Sequence, residues 1–103
     1  MEKHFDVYVN ETLCTEVTYD VQNETVTIIN HTDDILNRAF GTNEHPTIDD
    51  VMHFLEKRCF PKERANIKTL LRLLDLDDYN VEEIVKKTEG RMEEDHKYVI
   101  FRS

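Results

Sequence analysis

The chain has 103 residues, with 22 Asp and Glu against 13 Lys and Arg, a formal net charge of −9; this length suits one domain, 1–103, with a single core. A field of that sign repels phosphate, so direct nucleic-acid binding is not expected and docking on a basic protein surface is. No apolar run approaches the roughly 18 residues that span a bilayer, and Met1-Glu2-Lys3-His4 is not the basic flank of a signal sequence, so the expected location is cytoplasmic, without membrane contact.

The first thirty residues alternate as strands do. Phe5, Val7 and Val9 point one way and Asp6 and Tyr8 the other, Asn10-Glu11 turns into Leu13-Thr15-Val17-Tyr19, and Asp20 to Asn23 turns into Val26 and Ile28; the pattern predicts a β-meander of about three strands. Strict alternation sets Cys14 opposite Leu13 and Val17, beside Glu16 and Thr18.

From Asp33 to Phe40 a helical turn is expected, closed by Gly41. Thr47 with Asp50 can cap a first helix whose apolar stripe is Ile48, Val51, Met52 and Leu55, and Pro61 is expected to end it and open a second helix that buries Ile67, Leu70, Leu71 and Leu74. Asn80 and Glu83 form a capping box for a third helix with the stripe Val81, Ile84 and Val85, stopped by Gly90. Lys97 to Phe101 reads as a final strand returning to the meander. The fold class is therefore α+β: an N-terminal antiparallel meander plus a C-terminal strand, packed with three helices.

Charge is unevenly laid along this frame. Residues 1–34 hold eight acids and one base, a net −7, whereas residues 57–73 hold six bases (Lys57, Arg58, Lys62, Arg64, Lys68, Arg72) and only Glu63, a net +5. The acidic half is the expected contact surface, through Glu11, Glu16, Asp20, Glu24, Asp33 and Asp34. The basic stretch reads as a solvated helix face that also pairs with the acidic sheet.

Catalytic signatures are missing. No nucleophile elbow, P-loop, Gly-x-Gly-x-x-Gly turn or His-Glu-x-x-His helix occurs, and two glycines are too few for a phosphate cradle, so the expectation is a protein without enzymatic activity. Cys59 with His53, His45 or His96 is formally a dyad, but Cys59 continues an apolar helix face and reads as a buried thiol. Cys14 and Cys59 are not expected to form a disulfide in a reducing compartment. His45, His53 and Cys59 fall within fifteen residues, and Glu94-Asp95-His96 offers further donors, though no spacing matches a zinc finger or ribbon. His4 and His31 flank predicted strands and are expected to be exposed.

Five blocks carry a resemblance: Leu36-Asn37-Arg38-Ala39-Phe40-Gly41, Glu44-His45-Pro46-Thr47, Arg58-Cys59-Phe60-Pro61, Arg64-Ala65-Asn66-Ile67-Lys68 and Gly90-Arg91-Met92-Glu93-Glu94-Asp95-His96. With them the chain resembles a family of small uncharacterised proteins from Firmicutes and their mobile elements. In size, acidity and Cys/His content it also looks like the metal-binding type II-A anti-CRISPR proteins. That resemblance implies an inhibitor of Cas9 in a bacterial host cell that hinders target-DNA loading, with zinc as cofactor and His45, His53, Cys59 and His96 as ligands. The alternative it leaves open is a small regulatory, antitoxin-like interaction protein of a mobile-element operon.

Overall fold

A computed structural model describes residues 1–92 and 95–102; Glu94, one of the sequence-read donors, lies outside them. Strands β1 (Lys3–Val9), β2 (Thr12–Asp20) and β3 (Thr25–Asn30) precede helices α1 (Ile48–Lys57), α2 (Ile67–Leu73) and α3 (Val81–Thr88), and β4 (Lys97–Phe101) closes the chain. All strand pairs are antiparallel, in the order β3-β2-β1-β4. The α+β meander with a returning C-terminal strand and three helices is the fold this chain adopts.

Alternation decides which face meets the helices. Phe5, Val7, Val17, Tyr19 and Val99 join Val51 and Leu55 of α1 and Ile84 and Val85 of α3 in one core, none of them more than 1% exposed. Each such side chain contributes about 1.5–3 kcal/mol by leaving water. Phe5 sits at the centre, stacked on Phe54 at 6.0 Å and meeting Tyr19 edge-on at 5.9 Å. Tyr19 donates from its hydroxyl to the Glu82 carboxylate at 2.5 Å, and Lys3 Nζ reaches the same oxygen at 2.7 Å, which ties α3 to the sheet.

The alternation slips at one place. The register between β1 and β2 shifts between Val7 and Tyr8, so Val7 faces Thr15 but Tyr8 faces Leu13, leaving Cys14 as the extra residue of a β-bulge. Leu13 therefore shares a face with Tyr8 and not with Val17, correcting the strict pattern.

Helix ends follow side-chain chemistry. At Thr47 both halves of a capping box form: Asp50 N donates to Thr47 Oγ1 at 3.2 Å and Thr47 N donates to Asp50 Oδ2 at 2.8 Å. Aspartate thus serves where Glu or Gln is usual. Asn80 accepts from Glu83 N at 3.1 Å, whereas the Glu83 carboxylate meets Lys86 at 3.5 Å, so only half of the second expected box exists.

Pro61 does not open α2. It begins a run of exposed turns, with Arg64 N donating to Pro61 O at 3.2 Å, and the helix starts only at Ile67. Of the four apolar residues assigned to its inner face, Leu71 alone is fully buried, while Ile67 and Leu74 lie half-buried against the core. Leu70 is half-buried too, so the expected face does turn inward over the two turns, with only its centre fully covered.

Between α1 and β4 the chain is latched by Arg58. Its side chain, buried at the end of α1, donates to Gly90 O at 2.9 Å, to both carboxylate oxygens of Asp95 at 2.9 and 3.0 Å, and to Lys97 O at 2.9 Å. Gly90 has φ of +62°, and a Cβ there would lie 3.0 Å from Arg58 Cβ. Arg58, through Gly90, Asp95 and Lys97, thus positions β4 against the helices.

Candidate functional site

Strand alternation also fixes the face turned away from the helices. His4, Asp6 and Tyr8 of β1 share it with Glu16 and Thr18 of β2, and the register sets His4 opposite Thr18 and Asp6 directly opposite Glu16. Two carboxylates in direct cross-strand register repel one another, so the pair needs compensating charge.

Part of that compensation is visible. Arg102 Nε, just beyond β4, is paired with Asp6 Oδ2. His31, following β3, lies with Nε2 2.5 Å from Glu16 Oε2. The second oxygen, Asp6 Oδ1, has no hydrogen-bond partner among the described residues, although Asp6 is 0% exposed. His4 Nε2 lies 3.8 Å from it.

His4 is oriented by its other nitrogen. Nδ1 lies 2.7 Å from Thr18 Oγ1, which leaves Nε2 directed at Asp6. One donor atom from each of His4, Asp6 and Glu16 falls within 4.8 Å of the other two, and this group could hold a metal ion. Imidazole nitrogen with carboxylate oxygen is a donor set used by divalent transition ions.

The four ligands taken from sequence are placed elsewhere. His45, His53 and His96 are exposed, on the loop before α1, on α1 and just before β4 respectively. Cys59 is buried, with its thiol 3.7 Å from Val81 O and its pKa pushed up to about 11 by burial, against a lowering hydrogen bond with Tyr79. Among the described residues they form no group of three or more donors within metal-binding reach. Helix packing turns Cys59 inward while the three imidazoles face solvent, so among the described residues the structure does not gather His45, His53, Cys59 and His96 into one donor group. Cys14 and Cys59 are both free thiols.

The expected acidic surface is divided by the fold. Glu11 occupies the β1–β2 turn and Glu24 the β2–β3 turn, at opposite ends of the nine-residue β2, about 30 Å apart at ~3.3 Å per residue. Asp33 and Asp34 follow β3 at the Glu11 end and are exposed. Asp20, 5% exposed, accepts from Gln22 N, Asn23 N and Asn23 Nδ2 to build its own turn, so it belongs to the hairpin and not to the solvent-facing acids. Glu16 faces His31 in the sheet.

The basic stretch is divided too. Arg58 is consumed by the Asp95 latch, while Lys62, Arg64, Lys68 and Arg72 are exposed and form no ion pair among the described residues. They do not pair with the acidic sheet. No helix is long and apolar enough to cross a membrane among the described residues.

His4, Asp6 and Glu16 were not singled out together from sequence. The His-x-Asp alternation at residues 4 and 6 was the one local signal, and the third donor becomes a neighbour only once the β1–β2 register is known. Comparison with protein-family models, curated proteins and solved structures finds no significant match to this chain.

Proposed function

We propose that this chain is a non-catalytic acidic ligand for a basic, nucleic-acid-handling protein surface, and that its partner is a Cas9-type effector whose target-DNA loading it hinders. The observation that carries the reading is electrostatic: a chain of net charge −9 presents exposed carboxylates Glu11, Asp33 and Asp34 at one end of the sheet and Glu24 at the other. Effectors of that kind hold their guide–target duplex in positively charged channels. Carboxylates about 30 Å apart would engage two points along such a channel without copying phosphate spacing. Zinc, in this reading, belongs to His4, Asp6 and Glu16.

The test is binding of the purified chain to the effector with and without guide and target. Glu11→Lys with Asp33→Lys and Asp34→Lys should weaken binding at least about tenfold, and raised salt should weaken it further. Full inhibition by the charge-reversed protein at high salt sinks the reading.

A second reading draws on the cations. Lys62, Arg64, Lys68 and Arg72 stand free of ion pairs among the described residues, and Leu73, which follows Arg72, is 77% exposed. A surface of both signs suits a regulatory, antitoxin-like partner protein of a mobile-element operon. Under it, Arg64→Glu with Lys68→Glu abolishes capture of a neighbouring gene product while Glu11→Lys leaves it intact.

A further inference from the structure

We infer that His4, Asp6 and Glu16 bind a divalent transition ion of the zinc class on the sheet face turned away from the helices, with Thr18, Arg102 and His31 positioning the three ligands. The inference rests on assigning the metal to this face and is independent of which partner the acids dock on.

Three observations converge on a cation. The register sets two carboxylates directly opposite each other. One buried carboxylate oxygen, Asp6 Oδ1, has no hydrogen-bond partner among the described residues and points toward His4. The imidazole aimed at it is held from behind by Thr18. In the tautomer whose Nδ1–H donates to the Thr18 hydroxyl, Nε2 offers its lone pair to an ion on the side where Asp6 Oδ1 lies. This is the arrangement that fixes a ligating histidine, one nitrogen for the metal and the other for an oxygen acceptor.

Geometry allows the ion. Bonds of about 2.0–2.2 Å in a tetrahedron place neighbouring donor atoms about 3.3–3.6 Å apart. His4 Nε2 and Asp6 Oδ1 are 3.8 Å apart, so a small side-chain rotation closes the pair. Glu16, partly exposed at the rim, has the rotamer freedom to complete the set. Arg102 holds the other oxygen of Asp6 and His31 backs Glu16, which leaves a net negative charge of one at the ligands when both imidazoles are neutral. An imidazole donor favours zinc, cobalt(II) and nickel over calcium and magnesium, which prefer all-oxygen sites.

The experiment is titration of untagged, metal-stripped full chain with Zn(II) by calorimetry, and with Co(II) by visible absorption. One zinc per chain is expected, with Ca(II) and Mg(II) not competing. His4→Gln, Asp6→Asn and Glu16→Gln should each weaken zinc at least about tenfold, Thr18→Val should weaken it less, and His53→Ala and Cys59→Ser should leave it unchanged. If Asp6→Asn fails to fold, Glu16→Gln, at the exposed rim, decides alone, and zinc-dependent shifts of the His4 ring protons in the native chain provide a variant-free readout. Absence of saturable zinc binding overturns the inference, as does binding that survives Glu16→Gln or is lost with His53 and Cys59. Loss of effector binding with zinc affinity intact removes the docking reading alone.

Discussion

Arg58 and Asp95 form a bidentate ion pair, 2.9 and 3.0 Å, between the end of α1 and the segment that leads into β4. Because the same guanidinium also holds Gly90 O and Lys97 O, one side chain carries four of the hydrogen bonds that seat the C-terminal strand. Lysine presents a point charge and cannot reproduce the planar fork. Arg58→Lys should destabilise the chain by about 2 kcal/mol or more, read as a lower urea midpoint at unchanged slope.

The same pair gives the fold a pH dependence. The Arg58 guanidinium holds the Asp95 carboxyl at about 2, below its ordinary 3.8, with Lys97 N adding a hydrogen bond. A group depressed on folding stabilises fully above its unfolded pKa and loses that contribution as pH falls through the folded one. Stability should therefore fall between about pH 4 and pH 2, and Asp95→Asn should flatten that fall while lowering stability at neutral pH. A melting temperature in Asp95→Asn that tracks the native chain at every pH would contradict the assignment.

Gly90 and Glu89 both sit in the left-handed region, at φ of +62° and +59°. Substituting Gly90 by Ala brings backbone strain and a Cβ within 3.0 Å of Arg58 Cβ, so a loss of about 1–3 kcal/mol is expected. Glu89→Gly should act in the opposite sense and stabilise by about 0.5–1 kcal/mol, because glycine occupies that region without a Cβ penalty. Thermal melts of the two variants should bracket the native chain.

Asn10 and Glu11 make the β1–β2 turn with φ of +50° and +68°. Glycine is the favoured second residue of such a turn. Glu11→Gly should raise stability by about 0.5–1 kcal/mol while weakening the proposed docking, which separates the contribution of charge from that of folding. Stronger docking by this variant would argue that the turn, and not its carboxylate, meets the partner.

Burial raises the Cys59 thiol to about 11, so at pH 8 roughly one molecule in a thousand carries the reactive thiolate. Thiol reagents should label Cys59 slowly in the native chain and rapidly in denaturant. Fast native labelling would indicate that the α1 terminus opens.

Sequence by itself determined the elements and their order, because strand alternation from Phe5 to Ile28, the Thr47 and Asn80 caps and the Gly90 stop are local signals, each readable within a few residues. It could not show the bulge at Cys14, since one extra residue shifts a register without changing composition. The late start of α2 was equally hidden, for Pro61 is compatible with a first helical turn as well as with the turns it makes. Charge could be counted along the chain, but its placement depended on which strands pair and how far apart their turns lie. The candidate metal centre was decided by tertiary structure alone. His4 and Asp6 share a face by alternation, yet Glu16 stands opposite Asp6 only through the antiparallel register, and Asp6 meets Arg102 and is buried only in the assembled sheet. Local periodicity sets which face a side chain takes; pairing between distant segments sets what it finds there.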